Sequence, residues 1–200
     1  MRIKICGLFR EEDICYANEA RPDYIGFVFA QSRRRVTQTQ AARLREGLDA
    51  GISPVGVFQN APIEAIAGLY RARVIELAQL HGAEDRAYIQ GLRAACEIPI
   101  IKAVLPRKPG DLEAAEALGA DFLLLDGGRG GGLAFDWSLI DRPKTPFFLA
   151  GGIGLHNIEE AIEKGPFALD LSSGAERDGV KNPELMRALV CAVRERGNER

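Results

Sequence analysis

The residues best placed to do chemistry sit in a device that the chain repeats between Phe147 and Glu176. A short apolar run, Phe147 to Ala150, ends in Gly151-Gly152-Ile153-Gly154, and a second, Phe167 to Leu171, ends in Ser172-Ser173-Gly174. Glycines after a strand let backbone N–H groups converge on a ligand with no Cβ in the way, and the helix start that follows adds partial positive charge. Either turn alone reads as an ordinary tight connection. The pair, near the C-terminal end of a β/α chain, favours a phosphate cradle.

Two further groups stand at strand ends. Asp126 closes Leu123-Leu124-Leu125 and precedes a run of glycines. Partial desolvation at the mouth of an apolar barrel raises a carboxyl pKa, which suits a general acid near neutral pH. The same residue could instead cap its loop by accepting backbone N–H bonds; on pattern alone both roles stay open. Cys6 ends the first apolar run beside Gly7. A thiol there is either a small buried hydrophobe or, if positive charge or a helix start lowers its pKa, a base opposed to Asp126. Cys15, Cys96 and Cys191 fall in helical or pre-strand segments and read as small buried hydrophobes. His81 and Asp170, also at strand ends, are second-rank candidates, and His156 reads as solvent-exposed. One member of Arg33-Arg34-Arg35, after the second strand, could reach a substrate carboxylate by a bidentate contact.

These positions make sense only if strands and helices alternate. Apolar runs predict strands at Ile3–Cys6, Tyr24–Phe29, Pro54–Phe58, Ile75–Leu80, Pro99–Val104, Phe122–Asp126, Phe147–Ala150 and Ala168–Leu171. Between them, helical periodicity predicts Glu11–Glu19, Gln38–Leu48, Ile63–Arg71, Glu84–Ala95, Pro109–Leu118, Leu155–Lys164 and Pro183–Arg196. In the last of these Leu185, Met186, Leu189, Val190 and Val193 form one stripe, and Pro183 suits a first helical turn. Eight such units predict a single-domain (β/α)8 TIM barrel spanning residues 1–200. An open doubly wound sheet would put its glycines after the first strand, where Cys6-Gly7-Leu8 stands instead. The connection between strands six and seven reads as mostly loop. Its glycine run, Gly127 to Gly132, predicts a lid, and a short helix is expected around Asp136–Ile140.

Composition narrows the partners. Twenty-six basic against 28 acidic residues, a formal net charge of −2, argue against a nucleic-acid or anionic-membrane surface. No apolar span approaches membrane length. The four cysteines are far apart and form no C-x-x-C pair, so zinc or a disulfide framework is not expected. Reduced thiols and an opening run, Met1 to Leu8, with no cleavage-like site behind it predict a cytoplasmic chain.

The same residues in this order resemble the phosphoribosylanthranilate isomerase family of tryptophan biosynthesis. The resemblance covers essentially the whole chain. It is carried by Lys4-Ile5-Cys6-Gly7, Ser32 with the arginines after it, Gln79-Leu80-His81-Gly82, Leu125-Asp126, Ala150-Gly151-Gly152-Ile153 with Asn157, and Asp170 to Glu176. It implies an Amadori rearrangement of N-(5-phosphoribosyl)anthranilate, with Cys6 as general base and Asp126 as general acid. It further implies Gly151, Gly152, Ser173 and Gly174 on the phosphate, and Arg34, with Arg35 as the alternative, on the anthranilate carboxylate. His81 and Asp170 complete the expected substrate contacts. No metal or organic cofactor is expected, because the anthranilate nitrogen itself forms the electron-accepting iminium. Family members occur as monomers and as dimers, so a monomer or homodimer is expected. Phe9 stands where the family commonly has threonine, and Asn182 where it has aspartate, a change between two good caps. Two other readings stay open: another phosphosugar isomerase or epimerase on the same barrel, and a phosphometabolite-binding protein without catalysis.

Overall fold

A computed structural model of the chain describes residues 1–127, 136–141 and 143–197. Eight parallel strands close into a barrel in chain order: β1 (Arg2–Cys6), β2 (Tyr24–Val28), β3 (Ser53–Phe58), β4 (Leu77–Leu80), β5 (Ile100–Val104), β6 (Phe122–Leu125), β7 (Phe147–Leu149) and β8 (Ala168–Leu171). Among the described residues, helices follow all but one of them: α1 (Glu11–Ala20), α2 (Gln38–Glu46), α3 (Ile63–Arg71), α4 (Arg86–Ala95), α5 (Asp111–Glu116), α6 (Ile158–Glu163) and α7 (Pro183–Gly197). Among the described residues of the sixth connection only a 3-10 turn, Trp137–Leu139, is helical, in place of the expected Asp136–Ile140. Apart from Gly127, the glycine run expected to form a lid lies outside the described residues. A two-stranded hairpin, β9 (Glu176–Arg177) and β10 (Val180–Lys181), follows β8.

The period-two alternation of each strand sorts its side chains into two apolar layers. Val55, Leu77, Ile101, Leu124, Phe148 and Ala168 fill the barrel's interior. Ile3, Ile5, Ile25, Phe27, Leu125 and Leu169 point outward into the layer under the helices. At the seam, Lys4 on β1 pairs in register with Asp170 on β8.

Several element ends differ from the sequence expectation, each for a local reason. Strand β4 begins at Leu77 rather than Ile75, because Ile75 is buried in the helix-side layer before the strand starts. Helix α4 begins at Arg86 rather than Glu84: the Asp85 carboxylate accepts from the Tyr88 N–H at 2.8 Å and caps it. Helix α6 begins at Ile158 because Asn157 turns back to accept from the Gly154 N–H at 2.9 Å and donate to the Gly152 carbonyl at 3.2 Å. Helices α2 and α5 are likewise shorter than the apolar periodicity suggests. Asn182 caps α7, its side chain accepting from the Leu185 N–H at 3.0 Å. His156 is exposed as expected, but Cys15 and Cys191 are exposed as well, not the buried hydrophobes their helical pattern suggests.

Candidate active site

The C-terminal ends of the strands surround one cavity of about 630 Å3. Cys6, Arg34, His81, Asp126, Gly151, Gly152, Asp170 and Ser173 all line it. Gly174 stands behind this wall, where the two glycine turns meet: a Cβ there would lie 2.2 Å from the Ile153 carbonyl oxygen. The turns can approach each other only with hydrogen at that position.

Cys6 ends β1 and faces β2 across Gly26. A Cβ at Gly26 would come within 2.6 Å of the sulfur, so the thiol occupies space that the second strand gives up. Burial pushes the Cys6 thiol above the ordinary cysteine range. Lys4 beneath it and Lys181 beside it pull the other way, but they do not overcome the lost hydration. The positive charge that the base reading of Cys6 asks for is thus present, and desolvation works against it.

Asp170 is not presented to the cavity as a free carboxylate. Both of its oxygens accept from the Lys4 ammonium, at 2.8 and 2.9 Å, and the pair is buried. Burial raises the Asp170 carboxyl above the usual carboxylate range; Lys4 opposes the shift and the nearby Asp126 adds to it. Burial also works against the Lys4 ammonium, yet Asp170 and Cys6 hold its proton more tightly than an ordinary lysine does.

Asp126 follows β6, and its Oδ2 lies 3.4 Å from Nε2 of His81. The other ring nitrogen of His81, Nδ1, lies 3.0 Å from the Gln79 side-chain amide, so both edges of the ring are engaged. His81 thus reaches Asp126 as well as the cavity. Its segment is anchored from below: the Lys102 ammonium donates to the carbonyls of Leu80 and Gly82 at 3.2 and 2.7 Å and to Glu84 at 3.1 Å. Glu84 accepts in turn from the N–H groups of Asn60 and Gly82. Burial disfavours its charge, but the Asn60 N–H, its own backbone N–H and Lys102 hold the Glu84 carboxyl below the usual range.

Of the three arginines after β2, Arg34 alone lines the cavity. It passes over Gly7, whose φ of +85° suits glycine, and a Cβ there would lie 2.4 Å from the Arg34 Cδ. Its guanidinium is bound side-on by Glu176, from Nε to Oε1 at 2.6 Å and from Nη2 to Oε2 at 2.8 Å. Arg33 is exposed and also reaches Glu176, while exposed Arg35 makes a backbone bridge to Val28.

Sequence reasoning missed Lys4, Gln79, Glu84, Lys102 and Lys181 as parts of the site, and gave Glu176 no role. A signal existed for Lys4: it alternates with Ile3 and Ile5 on a strand whose two faces are both covered. Among the described residues, no three His, Cys, Asp or Glu side chains converge where they could hold a metal ion.

Residues 3–192 match the family of N-(5'-phosphoribosyl)anthranilate isomerases. The chain belongs to that family. It is 46% identical over 187 residues, 90% of this chain and 92% of the relative, to an N-(5'-phosphoribosyl)anthranilate isomerase of Endomicrobium trichonymphae. The crystal structure of phosphoribosyl anthranilate isomerase from Thermus thermophilus superposes with a TM-score of 0.87 at 37% identity, covering 98% of this chain and 99% of that one. A phosphoribosyl anthranilate isomerase solved in complex with reduced 1-(o-carboxyphenylamino)-1-deoxyribulose 5-phosphate superposes with a TM-score of 0.84 at 31% identity, again covering 98% and 99%. The closed barrel is therefore a fold shared with solved members of this family.

Proposed function

We propose that this chain catalyses the Amadori rearrangement of N-(5-phosphoribosyl)anthranilate to 1-(2-carboxyphenylamino)-1-deoxyribulose 5-phosphate, a step of tryptophan biosynthesis. The observation that carries the reading is the placement of Cys6 and the Asp126–His81 pair on the wall of one cavity that is also lined by the two glycine turns. Asp126 protonates the ribose ring oxygen, and the ring opens to a Schiff base. Cys6 then removes the proton from ribose carbon 2, and the enolamine so formed tautomerises to the ketone. The reactive state is a thiolate with a carboxylic acid, and Lys4 and Lys181 supply the positive charge that favours the thiolate.

Gly151, Gly152 and Ser173 hold the phosphate, with Gly174 keeping the two turns in contact. Arg34 takes the anthranilate carboxylate. His81 serves Asp126 and the substrate, whereas Asp170 acts through Lys4. Binding energy from the phosphate and the carboxylate positions the reacting carbons between acid and base. Residues 1–200 are read as one domain, acting in the cytoplasm as a monomer or homodimer; no described helix is long and apolar enough to cross a membrane.

The test follows the decay of anthranilate fluorescence with phosphoribosylanthranilate as substrate. The wild type is expected to accelerate the decay, and Cys6→Ser and Asp126→Asn each to lose about 10²- to 10⁴-fold in rate while still binding a reduced product analogue. A wild-type decay no faster than the spontaneous one defeats the isomerase reading. Full activity in either variant defeats that residue's role.

A further inference from the structure

Glu176 accepts four hydrogen bonds from three cationic side chains, and the mechanism above does not use it. Its side chain is 4% exposed. Arg34 reaches it through Nε and Nη2, Arg33 through Nη2 at 2.7 Å, and Lys181 through Nζ at 2.8 Å. The Lys181 ammonium is itself buried and donates to the Ser172 carbonyl at 2.9 Å, where the second glycine turn begins. Three cationic side chains thus share one carboxylate, and of them Arg34 lines the cavity.

We infer that Glu176 is a positioning residue: it presents the free edge of the Arg34 guanidinium to the carboxylate of the substrate. The argument is geometric. A guanidinium has five N–H donors in a rigid planar fork. The side-on pair with Glu176 takes the Nε donor and one on Nη2, which leaves the Nη1–Nη2 edge for a second carboxylate, end-on and bidentate. Without Glu176, Arg34 keeps its charge but loses the contact that fixes the plane of the fork above Gly7. Through Lys181, the same carboxylate ties Arg34 to the turn assigned to the phosphate. The two ends of the substrate are thereby held at a fixed separation.

This inference rests on the assignment of Arg34 to the substrate carboxylate, and its test separates the two. Two probes are compared by fluorescence or calorimetric titration: reduced 1-(2-carboxyphenylamino)-1-deoxyribulose 5-phosphate and the same compound lacking the carboxyl group. Glu176→Gln is expected to weaken the carboxylated probe about 10- to 100-fold and the other less than about 3-fold, raising KM more than it lowers kcat. Glu176→Asp, which keeps the charge on a shorter arm, is expected to fall between. Equal losses for both probes in the two Glu176 variants, or none for either, overturn the inference. Arg34→Gln is measured in parallel. If it fails to discriminate between the probes, the assignment of Arg34 falls; if it discriminates and the Glu176 variants do not, only the role of Glu176 falls.

Discussion

Replacing Lys4 by methionine strands the Asp170 carboxylate inside the barrel. Lys4 is fully buried and gives Asp170 two hydrogen bonds, and the carboxylate is 8% exposed. Removing one partner of a buried ion pair costs about 3–5 kcal/mol, and each kcal/mol moves the melting temperature of a domain this size by about 2–4 °C. Lys4→Met is therefore expected to melt about 6–20 °C below the wild type. The double variant Lys4→Met/Asp170→Leu removes both charges and is expected to recover most of that loss, because a well-packed apolar pair often matches a buried ion pair.

The pH dependence supplies a sign. Burial already raises the Asp170 carboxyl, and loss of Lys4 raises it further. A group whose folded pKa exceeds its unfolded value stabilises the fold most below the unfolded value, about 3.9 for aspartate, and that contribution is lost as pH rises through the folded value. The gap in melting temperature between Lys4→Met and wild type is thus expected to widen from acid to neutral pH. Thermal melts of wild type, both singles and the double between pH 4 and 8 measure all of this. A double variant as unstable as the sum of its singles, or a gap independent of pH, refutes the reasoning.

Two further outcomes follow from the thiol's surroundings. An ordinary cysteine thiol with a pKa of about 8.5 is ionised to roughly 3% at pH 7, and burial pushes Cys6 above that range; because the reactive state pairs a thiolate with a protonated Asp126, kcat/KM is expected to hold a plateau between the ionisation of the acid and that of the thiol and to fall on either side, and a climb of about one decade per pH unit from pH 6 to 8 speaks against Asp126 as the proton donor. Gly26→Ala puts a methyl group 2.6 Å from the Cys6 sulfur; it is expected to cost about 1–3 kcal/mol in urea unfolding and to lower kcat, and unchanged kcat with unchanged stability shows that the thiol has room to spare.

The alternation of apolar runs with helical stripes was enough to predict the barrel, since each unit must bury one side against its neighbours. Cys6, Asp126 and the glycine turns were legible for a related reason: polar or small residues that end apolar runs must lie at the strand tips. What stayed hidden depends on register and on side chains that turn inward. Lys4 stands on a strand covered on both faces, but its counter-charge is known only when β1 is set against β8 and Asp170 is found beside it. Glu84 reads as the first residue of a helix until Asp85 takes the cap and frees it to turn under the His81 segment. The same gap hides the Lys4 partner of Asp170, a residue that the sequence places only at a strand end.

The seam between β1 and β8 has a consequence for how the molecule comes into being. The bonds that cross it, from Lys4 to Asp170 and from the Ser172 hydroxyl to the Cys6 carbonyl, each join residues 166 apart in sequence. During synthesis the first strand must wait for nearly the whole chain before its lysine meets a counter-charge, and closing so long a loop is offset only by contacts made at the end. The environment that defines the thiol arises only with that closure. An unfinished barrel exposes Cys6 as an ordinary solvated cysteine, and the last strand to be made turns it into part of a site.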